Sequence, residues 1–411
     1  MSASPTINAD QLKFTPRGKA WLNQFDVADV QHAEKALAAL TLVSHTEFER
    51  SLSALIDRIA SSFRSPVALF ATREVDPAAP LFVNRTTRPA AVDAANDLGS
   101  EARVAAIIRN LARAEPNKFL NHPSIEEMRL AKCPALICVD DFIGSGHRTS
   151  EYVNAIWKNK TIRSWTSFGW LRFHAVAYSA TEGGRSLVES TKAKVQVTIE
   201  RECPTFNALP WQSSLRKTID RVFYKYAART TYPFDPRGYD NTGATLVFEH
   251  GCPDNCPVIF WASSAATSIW EPLFPKRSVL PPEASAFPAG IPQRDPTATM
   301  IDVGQKKLAG SGALSRRGPI GIAVLTVMAL AARGVRTRSA LSHATSISAR
   351  DCTRILELCV DWKFLTPKLR PTKAGLAELS YAKSLLPTYE KIPMIGENEY
   401  YPKQLRRPVH G

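Results

Sequence analysis

A continuous apolar run ending in two carboxylates is the feature that most constrains this chain. Residues 133–149 read CPALICVDDFIGSGHRT. Ala135 to Val139 is apolar at every position, the pattern of a parallel strand buried on both faces. Asp140 and Asp141 follow, then a turn holding Gly144, Ser145 and Gly146, then a helical pattern through Tyr152, Val153 and Trp157. Glycines at such a turn let backbone N–H groups approach an anion, and the N-terminus of the next helix adds partial positive charge. The carboxylates do not bind phosphate themselves; they suit ribose hydroxyls, or the waters of a phosphate-bound metal ion. The combination points to a sugar-phosphate site at the carboxyl end of a parallel strand. A plain strand-to-helix turn with an Asx cap, or an acidic pocket of the phospho-receiver type, is the alternative.

The segments around this stretch alternate between strand and helix. Glu47 to Phe63 is amphipathic, with Phe48, Leu52, Leu55, Ile56 and Ile59 at helical spacing. Pro66 to Thr72 reads as a core strand and is followed by Arg73, which suits either a phosphate or a salt bridge with Glu74. Helices are expected over Ala94–Ala114, Ser124–Lys132, the segment after the turn to about Lys158, Glu182–Ala193 and Trp211–Ala228. Strands are expected over Leu171–Ser179, Val195–Glu200, Leu246–Phe248 and Val258–Phe260. His174, inside one of these strands, is expected in the core. Alternation of this kind predicts an α/β fold with a doubly wound, mainly parallel sheet.

The 44% hydrophobic content suits a globular protein with a sizeable core. No apolar run approaches the roughly 18 residues that span a bilayer. No signal peptide is visible, so a cytoplasmic protein without membrane contact is expected. The seven cysteines do not form a disulfide framework in a chain of 411 residues. Cys252 and Cys256 lie near His250, but a zinc site there lacks an evident fourth ligand, and no metal site built from protein ligands is expected.

Charge divides the chain. Residues 1–275 hold 31 Lys and Arg against 28 Asp and Glu, whereas residues 276–411 hold 21 against 10. A basic final third favours a nucleic acid or another polyanion as its partner. Within it, 278–315 is rich in Pro, Ala and Gly and reads as a linker. Pro319 to Arg333 and Thr337 to His343 read as helices. Ser348 is a good N-cap for a third helix over Ala349–Trp362, whose buried stripe is Cys352, Ile355, Leu356 and Cys359. Phe364 to Gly375 reads as a two-strand wing leading into a last helix, and residues 384–411 as an extended tail.

Three stretches resemble known families. Asp140, Asp141, Phe142, Ile143, Gly144, Ser145 and Gly146 resemble the phosphoribosyl-diphosphate loop of type I phosphoribosyltransferases. The chain departs from that pattern at His147 and Arg148, so that Thr149 arrives one residue late. Phe248, Glu249, His250, Pro253, Asn255, Pro257 and Trp261 resemble a second block of the phosphoribosyltransferase-like proteins of bacterial conflict and anti-phage systems, a likeness spanning roughly Thr46 to Arg277. Phe364 to Gly375, with the helices before it, resembles the common bacterial winged-helix pattern.

These resemblances imply a division into an N-terminal extension (1–45), a phosphoribosyltransferase-like domain (46–277), the linker (278–315), a winged helix (316–383) and the tail (384–411). Asp140 and Asp141 become candidate catalytic residues. Gly144, Ser145, Gly146, His147, Arg148, Thr149 and Arg73 become phosphate or ribose contacts, and Glu249, His250 and Asn255 further pocket residues or parts of an ordinary loop. The implied ligand is a phosphoribosyl diphosphate or nucleotide, accompanied by Mg2+. In the winged helix, Arg350 and Arg354 would face a groove, and Lys368, Arg370 and Lys373 the phosphates; docking of protein is the alternative. Such proteins are encoded with retrons, which implies a toxin-like defence effector, a phosphoribosyltransferase-like or nucleotide- or NAD-processing transferase or hydrolase, partnered by a reverse transcriptase and its RNA–DNA product. A nucleotide-sensing transcriptional regulator with a non-catalytic phosphoribosyltransferase fold is the competing implication.

Overall fold

The computed structural model describes residues 9–76, 79–91, 100–266, 268–290 and 294–386. In the N-terminal body the chain runs α1 (Pro16–Leu22), α2 (Val27–Ala38), β1 (Thr41–Val43), α3 (His45–Ala60), β2 (Val67–Ala71), α4 (Ser100–Ala114), β3 (Phe119–Asn121) and α5 (Ile125–Leu130). It continues through β4 (Ala135–Ile143), α6 (His147–Trp157), α7 (Lys160–Ser167), β5 (Arg172–Ala180), α8 (Glu182–Glu189), β6 (Gln196–Glu202), α9 (Ser213–Ala227) and β7 (Leu246–Phe248). The expected helix from Ala94 begins at Ser100 among the described residues; 94–99 lie outside them.

The main sheet has five strands in the order β3-β2-β4-β5-β6, and every pairing is parallel. Period-two alternation along β4 explains its burial. Ile137 and Val139 enter one hydrophobic core, while Leu136 and Cys138 enter the other. Helices on both faces make this the doubly wound α/β arrangement. Local signals place the helices: Ser44 accepts from the Glu47 N–H at the start of α3, and Ser124 with Glu127 forms a capping box on α5. His174 lies 7% exposed with Phe63 edge-on against it, a core residue as expected.

Two expectations change here. β7 does not join the main sheet; it pairs in parallel with β1 in a separate two-stranded sheet. Val258–Phe260, expected as a strand, is a 3-10 turn. Pro257 precedes it, and the Val258 N–H bonds to Pro236 O instead of a strand ladder.

The C-terminal module contains α10 (Pro281–Ala284), α11 (Pro296–Asp302), α12 (Lys306–Ala309), α13 (Pro319–Ala332), α14 (Arg338–Thr345), α15 (Ala349–Asp361) and α16 (Lys373–Ser384). α13 is apolar almost all round, so it is the centre of a third core. Met300, Val303, Leu308, Ala313 and Leu314 belong to that core, so much of the segment read as a linker packs with the winged helix. The two-strand wing reduces to one antiparallel bridge, Leu365 to Pro371. Pro367 and Pro371 remove the amide donors a longer ladder would need. Of the tail, residues 387–411 lie outside the described residues.

Candidate functional site

The strand order reverses between β2 and β4, which is where open α/β sheets bind ligands, beyond the carboxyl ends of the strands. β2 pairs with β4 only as far as Ala71 opposite Val139, while β4 continues beside β5 to Ile143. The acidic pair therefore lies within a strand that has outrun one neighbour. Asp140 and Asp141 are 2% and 6% exposed, so each carboxylate needs partners from the protein.

Those partners come from the start of α6 and from the block after β7. The Arg148 guanidinium donates to Asp140 Oδ1 at 2.6 Å and to Asp141 Oδ1 at 3.2 Å. Thr149 Oγ1 donates to Asp140 Oδ2 at 3.0 Å, and the Asp141 N–H to Asp140 Oδ1 at 3.0 Å. His250 Nε2 lies 3.3 Å from Asp141 Oδ2. Burial, reinforced by the neighbouring Asp141 charge, pushes the Asp140 carboxyl up against the pull of Arg148. Burial opposes ionisation of Asp141 too, but the His250 hydrogen bond and the Arg148 charge outweigh it and hold Asp141 below its ordinary range. One cation thus serves two carboxyl groups whose titrations are driven apart, Asp140 upward and Asp141 downward.

The glycine turn is packed from both sides. A Cβ on Gly144 would stand 2.0 Å from Asn255 Oδ1, and one on Gly146 would stand 2.5 Å from Gly184 O. Gly146 also has φ +86° and caps α6, a conformation that excludes β-branched residues. Thr181 Oγ1 donates to Gly144 O at 2.6 Å and accepts from the Gly184 N–H at 2.9 Å, tying the turn to the first turn of α8.

Asp140, Asp141, Arg148, Thr149 and His250 converge. The other candidates do not join their hydrogen bonds. Ser145 accepts from the His147 N–H at 3.4 Å, and the His147 ring faces Asp240 at 3.5 Å. Glu249 accepts from the His45 N–H at 2.8 Å. Asn255 donates to Tyr239 O and Thr242 Oγ1, which makes it the wedge under Gly144. Arg73 stands beyond β2 at the switch point but donates to Ala90 O at 3.2 Å and Glu74 O at 3.0 Å; its bond to Glu74 is to the backbone and not the carboxylate.

Sequence reasoning missed Glu101, His45 and His122. Burial raises the Glu101 carboxyl, partly offset by Arg148, and Glu101 Oε2 has no hydrogen-bond partner. The His45 ring stacks on His250 with centroids 6.0 Å apart. His122 Nε2 accepts the Ala71 N–H at 2.8 Å at the end of β2. These residues sit in helical or short-strand segments without a local signature, so only the fold brings them here. Among the described residues, no group of three or more His, Cys, Asp or Glu converges as a metal site. The space between the two carboxylates is already bridged by Arg148, so these side chains do not build a magnesium site of their own.

In the C-terminal module Arg350, Arg354, Lys368, Arg370 and Lys373 are all exposed. The start of α15 nevertheless faces inward: Ala349 belongs to the core of the body, and Arg338 of α14 donates to Glu202 of β6 at 2.7 Å.

Residues 19–276 match the PRTase-CE family. Residues 325–407 match the family described as wHTH-PRTase associated. No curated protein matches the chain, and no solved structure does. Among the described residues, no helix is long and apolar enough to cross a membrane.

Proposed function

Since the chain belongs to the PRTase-CE family, we propose that its acidic turn binds a phosphoribosyl compound or nucleotide and that the protein is an anti-phage defence effector. The observation that carries this reading is Arg148 bridging Asp140 and Asp141 at the switch point of the sheet. Arg148 supplies donors to the carboxylates where the hydroxyls of a sugar-phosphate ligand would donate. In the liganded state the ribose hydroxyls donate to the carboxylates, and Arg148 turns to the phosphate over the N-terminus of α6. Magnesium fits here only as a companion of the ligand's phosphates. The exposed cations of the winged helix dock the RNA–DNA product of a partner reverse transcriptase.

Calorimetry with phosphoribosyl diphosphate and with nucleotides tests the ligand. Asp141→Ala should abolish binding while the protein stays folded, and equal binding by a folded Asp140→Ala, Asp141→Ala variant would sink the reading. Loss of phage defence in the same variant, with depletion of a nucleotide pool during infection, tests the effector role. For the winged helix, changing Lys368, Arg370 and Lys373 to Ala should flatten the slope of log affinity against log salt by roughly 0.9 for each duplex phosphate no longer neutralised. An unchanged slope would assign these residues to protein docking.

The Arg148 bridge also favours a second reading, a nucleotide-sensing regulator. An acidic pair neutralised by its own chain suits a switch in which ligand displaces an arginine. Turnover of a bound ligand separates the two readings, because a sensor releases its ligand unchanged.

A further inference from the structure

A cavity of about 630 Å3 lies between the body and the C-terminal module, and none of the acidic-turn residues lines it. Its walls come from α2 and β6 on one side and from α11 and α14 on the other. The volume is that of a small-molecule site.

The charges facing this space are unmatched. Arg201 of β6 is 5% exposed, yet its Nη1 has no hydrogen-bond partner. Arg294 enters from the other module and donates to the uncharged carbonyls of Ala38, at 3.5 Å, and Ala39, at 2.9 Å. Burial and then the charge of Arg201 push Arg294 down to about 10. His343 of α14 also lines the cavity, and burial with the two arginines keeps it neutral.

The nearby carboxylates are committed elsewhere. Asp302 pairs with Lys35 at 2.6 Å. Glu202 serves both Arg185 at 2.9 Å and Arg338 at 2.7 Å, which leaves that cluster cationic. Glu200, next to Arg201 on the strand, faces Arg58 at 3.9 Å. Asp295 caps α11 through the Thr297 and Ala298 N–H groups, and Asp10 pairs with Lys13 at 3.1 Å. Of the carboxylates lining the cavity, Glu34 is left, together with the second oxygen of Glu202, Oε2, which is buried without a hydrogen-bond partner.

A buried guanidinium without a paired carboxylate is costly, and buried Arg201 with half-buried Arg294 gives one cavity two guanidinium groups that an anion would pair. We infer that this cavity binds a small organic phosphate, held between Arg201 of the body and Arg294 of the C-terminal module. The planar guanidinium fork matches phosphate oxygens in pairs, and neutral His343 supplies a further donor. Because the ligand touches both modules, its occupancy stabilises their docking. The inference is independent of the acidic turn.

The test uses the full chain, with inorganic phosphate titrated by calorimetry at constant ionic strength. Saturable binding is expected, and Arg201→Gln and Arg294→Gln should each weaken it by roughly tenfold or more. In an Asp140→Asn, Asp141→Asn variant the binding event that depends on Arg201 and Arg294 should persist. Absence of saturable binding to wild type overturns the proposal, as does loss in the aspartate variant with retention in the arginine variants. Should the arginine variants fail to fold, NMR of ring-labelled histidine in the wild type decides. The His343 resonances must move with the same midpoint as the calorimetric titration, and a stationary His343 overturns the site. A nucleoside monophosphate should bind at least as tightly as phosphate. Tighter binding of a 5′-phosphorylated oligonucleotide than of the monophosphate would overturn the small-molecule assignment.

Discussion

At the acidic turn, Arg148 stands 2.6 Å from one buried carboxylate and 3.2 Å from another, whereas at the module junction Arg201 has a buried Nη1 with no partner at all. The same side chain is thus over-committed in one region and unmatched in the other. A ligand at the acidic turn must displace an internal ion pair, so binding there competes with the protein's own chain. At the junction a ligand meets a cavity lined by an arginine that the fold has left incompletely paired. Self-satisfied charge stabilises the native state, and unmatched charge costs stability until something fills the site.

The largest expected effect comes from the packed turn. Gly146→Val combines a left-handed backbone with a Cβ 2.5 Å from Gly184 O, and should destabilise the protein by about 4 kcal/mol in urea unfolding. Wild-type stability in that variant would show that the turn is looser than its packing implies.

Arg148→Ala comes next. It leaves Asp140 and Asp141 buried without their cation, and the expected loss is about 3 kcal/mol. Adding Asp140→Asn should recover part of it. If Arg148→Ala is neutral, the acidic turn is not closed on itself and the contrast with the junction fails.

The pH response of His122 is expected to be of the same order. Burial, and then the Arg73 charge, lower His122 from 6.5 to about 4 in the folded protein, and its Nε2 must stay unprotonated to accept the Ala71 N–H. Below about 6.5 the unfolded chain takes up a proton that the native state refuses. Stability present above that value is therefore lost as pH falls towards about 4, by about 3 kcal/mol from this residue. Thermal melts across this window should show the loss, and His122→Gln should flatten it. His343 acts with the same sign at the junction, so a His343→Gln variant apportions the acid sensitivity between the two regions.

Arg201→Met should have the smallest effect, and one of opposite sign to Arg148→Ala. Removing an uncompensated buried charge should leave stability unchanged or raise it by about 1 kcal/mol in phosphate-free buffer. A loss as large as that of Arg148→Ala would mean that Arg201 is satisfied within the fold.

Much of the body was legible in the sequence. The apolar run from Ala135 to Val139 identified β4, because continuous burial on both faces leaves no polar positions to alternate. Ser348 was legible as the N-cap of α15, because capping is a local matter of one side chain and the next turn of backbone. The 3-10 turn at Val258–Phe260 was read as a strand because a short apolar run carries no period of its own. Of the site candidates, Asp140, Asp141 and Gly146 were visible because strand, turn and helix follow one another directly.

The partners of those residues were decided by tertiary structure. That Arg148 folds back onto the acidic pair follows from the pitch of α6, and that His250 completes it follows from the return of the chain beside β1. Arg201 and Arg294 carried no sequence signal at all; 93 residues separate them, and their shared cavity exists only because α11 and α14 pack against α2 and β6. Sequence by itself determined the long core strands, the cap at Ser348, the glycine turn and the basic final third, each a property of neighbouring residues. Which charges meet and which stay unmatched was decided by the fold alone, because electrostatic pairing depends on distance in space and on exclusion of water, and neither is written in the local order of residues.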